Sequence, residues 1–262
     1  MLPEPIAPRS ETTEDLVARF RASAPVKYVV LDGFLDPGYA DQLFDALPPV
    51  DAMPKSRDYV FSDKRELSTL DTHSPLTARL HEAITSPAFE GLLSALIDRP
   101  VFIDPEYIGG GFHAGAAGSF LDLHTDFNIH PARPTWHREF NILLYLNPGW
   151  EPGWGGELQL TDDPVRPGIT VAPLFNRLVI MESTDRSFHG YDEISFPPGV
   201  ARRSIAAYGY SLVDAGAVTR RTTSWSPRGA GTAKRLLASN WNRLVLTKNR
   251  FFGSGTLKNR RS

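Results

Sequence analysis

The chain has 262 residues and a formal net charge of −2, with 41% apolar and 22% charged residues. This length suits a single large domain with extensions, and no apolar run approaches the roughly 18 residues of a membrane-spanning helix. Because the chain contains no cysteine, disulfides and thiolate metal sites are excluded, and any metal would be held by His, Asp or Glu.

The chain begins with MLPEPIAPRSETTEDL, which lacks a basic segment followed by an apolar one. No secretory signal is therefore expected, and the predicted location is cytoplasmic. Charge is divided unevenly: eleven of the 28 Lys and Arg residues follow Asp214, and none of the 30 acidic residues does. The body of the chain is thus acidic and its tail basic.

Helices dominate the first hundred residues. Residues 1–25 read as an N-terminal extension with one helix at TTEDLVARFRAS, begun by a Thr cap. A strand at KYVVLDGFL is followed by a helix at DPGYADQLFDALP, with Asp36 as its N-cap and Pro37 at its first position. The stretch SPLTARLHEAITSPAFEGLLSALID predicts two helices separated at Ser86 and Pro87.

From Val101 onward the chain alternates short apolar runs with turn signals, which predicts an α+β chain whose strands form a sandwich, barrel or jelly roll. The glycine-rich stretch 109–118 is predicted to be a flexible hairpin tip. Residues 26–214 are expected to form one domain with its core at about 101–212. Strands are predicted near 101–108, 119–127, 138–146, 156–161, 169–171, 177–182 and 202–212.

The stretch GSFLDLHTDFNIH places His124 and Asp126 two positions apart in a strand. Alternation directs both side chains to one face, together with Asp122. A third ligand from another strand would complete a facial triad, which leaves coordination positions open on Fe(II). The alternative is a histidine and an aspartate that happen to face solvent.

His189 is the best candidate for the third ligand, because it follows the strand RLVIM at a position typical of a barrel rim. The alternative interpretation is a turn histidine beside Gly190. Four other histidines are expected to be solvated or to cap helices, namely His73, His81, His130 and His137.

Arg202 and Ser204 share a strand face in GVARRSIAAYGYS. A guanidinium beside a hydroxyl on an inner face suits a carboxylate, and a buried arginine would be costly without an anion. A pair of polar residues on an edge strand is the alternative.

The motifs HTD, EFNILLYLNPGW with GWGGELQLT, SFHG and RRSIAAYGYS occur in an order that resembles the prolyl-hydroxylase-like branch of the 2-oxoglutarate- and Fe(II)-dependent oxygenases. The resemblance extends from about residue 26 to Tyr210. It implies a double-stranded β-helix, or jelly roll, buttressed by the N-terminal helices. It also implies iron ligation by His124, Asp126 and His189, and 2-oxoglutarate binding by Arg202, Ser204, Tyr145 and, as a weaker candidate, Asn141.

The implied activity is hydroxylation of a substrate C–H bond with O₂, coupled to conversion of 2-oxoglutarate to succinate and CO₂. Ascorbate is a candidate stimulant. The substrate, small molecule or peptidyl, is left open; Tyr107, His113, Arg138 and Trp154 are candidates to contact it, with packing as the alternative role. The rival class is a non-oxygenase cupin-like jelly roll that binds or isomerises carbohydrate.

Residues 215–262 form a basic C-terminal extension in which Leu237, Trp241, Leu244 and Val245 recur at helical spacing. The favoured interpretation is a helix packed on the acidic body. Contact with an anionic membrane surface or with an anionic substrate is the alternative. No nucleic acid is expected as a partner, and the sequence does not predict an oligomeric state.

Overall fold

The computed structural model describes residues 4–55 and 60–227, and within the following segment residues 231, 234, 236–238, 240 and 241. The described part contains helices near its N-terminus and strands throughout. The α-helices with defined bounds are Thr13–Ala22 (α1), Pro37–Asp45 (α2), Pro75–Ile84 (α3) and Pro87–Ile97 (α4), and Val50–Ala52 form one 3₁₀ turn. No helix among the described residues is long and apolar enough to cross a membrane.

The helices begin at the caps that the sequence indicates. The Thr12 hydroxyl accepts a hydrogen bond from the Asp15 N–H, and the Asp36 carboxylate accepts one from the Tyr39 N–H. Each cap satisfies one of the unpaired N–H groups of a first turn. The Ser86 cap starts α4, so the predicted break between the last two helices is confirmed.

The strands form two antiparallel sheets. The larger runs β1–β10–β7–β12–β5–β3, with β4 also on β12, and the smaller runs β13–β6–β11–β8–β9, with β2 also on β6. The bounds are Tyr28–Asp32 (β1), Ser62–Asp63 (β2), Arg65–Leu67 (β3), Phe102–Ile103 (β4), Gly111–Gly115 (β5), Phe120–Thr125 (β6), Trp136–Tyr145 (β7), Leu158–Thr161 (β8), Ile169–Val171 (β9), Arg177–Glu182 (β10), Phe188–Tyr191 (β11), Arg202–Leu212 (β12) and Ser224–Trp225 (β13).

The larger sheet buries both of its faces. On β10, Leu178 and Ile180 join the core formed with the four helices, whereas Val179 and Met181 point toward the smaller sheet. This alternation follows from the two-residue period of a strand. The α+β jelly roll buttressed by N-terminal helices is therefore confirmed, and its inner face is the space between the sheets.

The glycine-rich stretch 109–118 is not a flexible tip, because residues 111–115 form β5 between β12 and β3. Glycine is needed there for close backbone contact: a Cβ at Gly111 would overlap the Leu67 carbonyl oxygen, and one at Gly110 would lie 2.6 Å from the Ala206 carbonyl oxygen. The low apolar content of this strand reflects this tight packing and is not a sign of disorder.

The described residues of the tail between 234 and 241 are helical. Ala238 is buried, and it packs with Leu237 and Trp241 against Phe61 and Trp225 of the body. This agrees with the favoured interpretation of a helix docked on the acidic body. Leu244 and Val245 lie outside the described residues.

The side chain of Asn176 connects the loop before β10 to the backbone of the N-terminal part of the fold. The side chain of Asn176 accepts a hydrogen bond from Leu35 N–H at 2.8 Å and donates one to Leu35 O at 2.7 Å, while its own backbone has a φ of +58°. Asn176→Ala leaves both backbone groups unpaired and adds left-handed strain. We expect it to lower the free energy of unfolding in urea by about 3 kcal/mol.

Asn176→Gly separates the two effects, because glycine removes the hydrogen bonds and tolerates the positive φ. We expect it to cost about 1 kcal/mol less than Asn176→Ala. Asp98, an exposed residue with a φ of +56°, is the control, and Asp98→Gly should change stability by less than about 1 kcal/mol. An Asn176→Ala protein as stable as the wild type would contradict this assignment.

Candidate active site

Strand pairing brings two histidines together on the inner face of the smaller sheet. β11 pairs with β6 so that His189 lies directly opposite His124. Opposite residues of an antiparallel pair share a face, and the two ring centroids are 4.2 Å apart. Asp126 follows the end of β6 by one residue, so its side chain returns to the same face as His124.

These three residues form a compact donor group. One ligand atom from each of His124, Asp126 and His189 lies within 4.8 Å of the others. Nε2 of His124 is 3.7 Å from Asp126 Oδ1, and Nε2 of His189 is 3.3 Å from Asp126 Oδ2. Ligands bound at about 2.1 Å and at right angles would lie about 3 Å apart, so a small relaxation would let all three bind one ion.

Both histidines direct Nε2 to this centre, and Asn141 Nδ2 lies 3.2 Å from Nε2 of His189. The Nδ1–H of His124 donates to the Asp122 carbonyl at 2.9 Å, and that of His189 donates to the Ser187 carbonyl at 3.2 Å. Such carbonyl partners fix the tautomer of metal-binding histidines. Burial, assisted by the neighbouring His189, lowers the pKa of His124 to about 3. Two neutral imidazoles and one carboxylate fit a divalent iron ion.

Asp126 is held as a carboxylate by polar neighbours. Burial favours the neutral acid, but the Arg138 guanidinium and the two histidines hold the pKa of Asp126 well below its usual range. Arg138 Nη1 lies 2.9 Å from Asp126 Oδ2, and Asn141 Nδ2 donates to the same oxygen at 2.6 Å. Asn141 therefore contacts the triad itself.

Arg138 is completely buried, with its guanidinium between the rings of Phe127 and Tyr208 at 3.9 and 3.6 Å. Among the described residues its Nε and Nη2 have no hydrogen-bond partner of good geometry, although the Tyr210 hydroxyl interacts with the guanidinium. The residue expected to face substrate thus forms an ion pair with a candidate metal ligand, and retains donors that the protein does not use.

A second cation lies farther along the same inner face. Arg202 is 6% exposed; its Nε donates to the Gly156 carbonyl at 2.8 Å and its Nη2 to the Tyr145 hydroxyl at 3.2 Å. Its guanidinium also lies 4.1 Å from the centre of the Tyr191 ring. No carboxylate among the described residues forms an ion pair with it, so this buried charge lacks an anion.

Strand pairing places polar side chains next to Arg202. Ser204 lies opposite Tyr145 on one side and His113 on the other, so the three side chains form a row on the inner face. His113 Nε2 is buried without a hydrogen-bond partner, and burial keeps the pKa of His113 well below its usual value. A Cβ at Gly156 would lie 3.0 Å from Arg202 Cδ, so glycine is needed for the arginine to reach this position.

Other residues singled out in the sequence lie elsewhere. Tyr107 is fully buried in the core beneath the helices, where its hydroxyl lies 2.8 Å from His81 Nδ1. Trp154 packs on Phe196 in a small cluster next to Tyr191.

His130, expected to be solvated, is 1% exposed, and its Nε2 lies 3.5 Å from Asp104 Oδ2. That expectation was wrong because the apparent loop folds back: His130 N–H donates to the Trp136 carbonyl, and the ring packs on Trp136.

Sequence reasoning missed the aromatic neighbour of the triad. Trp225 of β13 lies opposite His124, and their ring centroids are 4.6 Å apart. Nothing in a lone tryptophan of a basic tail indicates this contact. Asp122, which shares the strand face of the ligands, is not part of the donor group, since its Oδ2 lies 2.6 Å from Lys234 Nζ.

Comparison with known proteins agrees with this geometry. Residues 110–210 match the sequence profile of the 2OG-Fe(II) oxygenase superfamily, and no curated protein sequence matches the chain significantly.

Three solved structures illustrate the fold. A Pseudomonas putida prolyl-4-hydroxylase is 17% identical with a TM-score of 0.53, covering 76% of this chain and 99% of its own. A Trichoplax adhaerens prolyl hydroxylase, in complex with a hypoxia inducible factor oxygen degradation domain peptide fragment, is 16% identical with a TM-score of 0.52, covering 76% and 90%. The epimerase SnoN, in complex with Fe3+, alpha ketoglutarate and nogalamycin RO, is 16% identical with a TM-score of 0.50, covering 83% and 87%.

Removal of one triad member tests the donor group. His189→Ala should weaken Fe(II) binding, measured anaerobically by calorimetry, at least about 100-fold, since a lost ligand costs more than the tenfold to 100-fold typical of a lost supporting contact. His73, an exposed histidine, provides the control, and His73→Ala should bind as the wild type does. Equal affinity of the His189→Ala protein would exclude the triad.

Proposed function

We propose that the chain, whose residues 110–210 belong to the 2OG-Fe(II) oxygenase superfamily, is a 2-oxoglutarate-dependent dioxygenase that hydroxylates an unactivated C–H bond of a small-molecule or peptidyl substrate. One observation carries the proposal: the His124, Asp126 and His189 donor group of the smaller sheet and the buried Arg202 of the larger sheet face the same space, and no carboxylate of the described residues forms an ion pair with Arg202. A metal-binding end and a carboxylate-binding end in one cavity match the two ends of 2-oxoglutarate.

The triad is the proposed iron site. When bound there, Fe(II) and 2-oxoglutarate supply the oxidising chemistry: O₂ gives one oxygen atom to succinate, with loss of CO₂, and the other to the substrate C–H bond. His124, Asp126 and His189 would hold the ion through two imidazole nitrogens and one carboxylate oxygen. Arg138 and Asn141 keep the Asp126 carboxylate oriented toward the two Nε2 atoms.

The Arg202 end is the proposed anchor for the distal carboxylate of 2-oxoglutarate. An arginine that is already positioned by Gly156 O and the Tyr145 hydroxyl needs little reorganisation to bind a carboxylate. Ser204 provides a neutral donor in the same row. The pocket is buried, which strengthens the electrostatic attraction that it offers.

The reaction outcome and the substrate are the finer part of the proposal. The proteins of similar structure include prolyl hydroxylases, one of them in complex with a peptide fragment, and an epimerase. We propose hydroxylation because the triad provides the two imidazoles and one carboxylate that this outcome requires. The cupin-like alternative would not need Arg202, so a direct test of 2-oxoglutarate binding distinguishes the two.

Unused donors near the triad favour a substrate with an acidic group. Arg138 keeps two buried nitrogens without partners, and so does Arg221, whose Nε and Nη2 are likewise unpaired. Burial lowers the pKa of Arg221, which also interacts with Asp185, Asp126 and Arg138. The unpaired nitrogens of these two guanidiniums would donate to an acidic substrate group.

The domain division is also proposed: residues 26–214 as the oxygenase domain and 215–262 as an extension packed on it. The contact between Lys234 and Asp122 supports packing over a role at a membrane surface. Cytoplasmic location stays a prediction from the sequence.

Arg202 provides the first test. Arg202→Ala should weaken 2-oxoglutarate binding to the Fe(II) protein about 100-fold or more, because a buried charged pair is lost, whereas Ser204→Ala should cost about threefold to tenfold. The measurement is anaerobic titration of the visible band that forms between Fe(II) and 2-oxoglutarate. Both variants should keep wild-type affinity for Fe(II). If the wild type forms no such band, the cupin-like alternative is favoured.

Substrate class is tested by succinate release under air with Fe(II) and ascorbate. We expect compounds with a free acid group to stimulate release more than their amides, for example N-acetylproline over N-acetylprolinamide. Arg221→Gln should reduce this preference about tenfold, since a charged hydrogen bond contributes roughly 1.5–3 kcal/mol. Equal stimulation by acids and amides in the wild type would contradict the acidic substrate.

A further inference from the structure

The segment that follows the larger sheet is joined to β6, which carries His124, and to the residues just after it. Asn128 Nδ2 donates to the Thr219 carbonyl at 3.0 Å, and Arg221 N–H donates to Asn128 Oδ1 at 2.7 Å. The segment then pairs with β6 as β13, with Ser224 opposite Thr125. It therefore reaches the triad along a path fixed by hydrogen bonds.

This pairing places Trp225 opposite His124, and His124 lies opposite His189. The three rings form one row across neighbouring strands, with centroid separations of 4.6 Å and 4.2 Å. Phe61 stacks on Trp225 at 5.0 Å, with 15° between the planes. Trp225 is 7% exposed, and its buried Nε1–H has no hydrogen-bond partner in the part of the chain that the structure describes.

The described helical residues of the tail pack against the aromatic residues next to this row of rings. Trp241 packs edge-on against Phe61 at 5.1 Å, and Ala238 is buried beside it. Lys234 pairs with the carboxylate of Asp122, whose carbonyl accepts the Nδ1–H of His124. Two separate contacts of the tail thus lead to the same histidine.

We propose that Trp225 is a positioning residue for His124 and that the basic segment is thereby a structural part of the metal centre. The proposal rests on the proposed iron site at His124, Asp126 and His189. The Asp122 carbonyl restrains His124 at one atom, whereas the Trp225 indole, packed on the imidazole with 31° between the planes, restricts rotation of the ring. Without the indole, the imidazole gains freedom that metal binding has to remove again, so affinity falls.

Co(II) is a suitable test ion because it binds nitrogen and oxygen ligands and resists oxidation in air. We expect Trp225→Ala to weaken Co(II) binding about tenfold by calorimetry, near the lower end of the effect of supporting residues around metal sites. Trp225→Phe keeps an aromatic ring and should bind within about threefold of the wild type. Trp136→Phe, at a tryptophan that packs with Phe102, His130 and Tyr210, is the matched control and should leave affinity unchanged.

Fluorescence provides a readout that a general loss of packing would not give. Co(II) bound to the triad should quench Trp225, so the quenching seen in the wild type and in Trp136→Phe should be largely lost in Trp225→Phe, although that variant still binds the ion. This comparison remains informative if Trp225→Ala does not fold.

The outcomes separate the two proposals. If the wild type does not bind Co(II), the iron site itself is wrong. If the wild type binds Co(II) but Trp225→Phe is quenched to the same extent, or a folded Trp225→Ala binds as tightly as the wild type, then the positioning role alone is wrong.

Discussion

The antiparallel register between β6 and β11 is the constraint on which the candidate site depends. It sets His124 opposite His189, and only this register places both imidazoles on the face that Asp126 also reaches. A shift by one residue would turn one ring toward the opposite face of the sheet. The neighbouring pairs, β13 with β6 and β11 with β8, fix that register from both sides. The geometry of the donor group is thus a property of the sheet as a whole.

Unbalanced charge is the second organising feature of the inner face. Among the described residues, Arg202 has neutral hydrogen-bond partners, and Arg138 has one carboxylate, Asp126, which it shares with the two histidines. A protein that buries cations in this way loses stability unless an anion or a metal-bound carboxylate completes the arrangement. The aromatic rings around each guanidinium recover part of this cost.

The sequence predicted those parts of the site that depend on residue type and strand parity. His124, Asp126 and Arg202 could be identified because their chemistry is rare on a strand and their spacing defines a shared face. The strand at 111–115 could not be predicted. Its glycines are needed because neighbouring backbone packs closely against them, and the local sequence gives no sign of that contact. Trp225 was not predicted for a different reason. Its role depends on the residue that lies opposite it in the sheet, and local sequence patterns do not identify a strand partner about a hundred residues away.

The pairing of β1 with β10 has a consequence for how the protein acquires its metal. Asp32 of β1 lies beside Arg177 of β10, 145 residues later in the chain, and such distant contacts are characteristic of slowly folding topologies. During synthesis His124 leaves the ribosome first, and His189 and then Trp225 follow only after many more residues have been added. We therefore expect iron to be loaded only after translation of the whole domain, into a sheet that is already assembled, rather than to nucleate its folding.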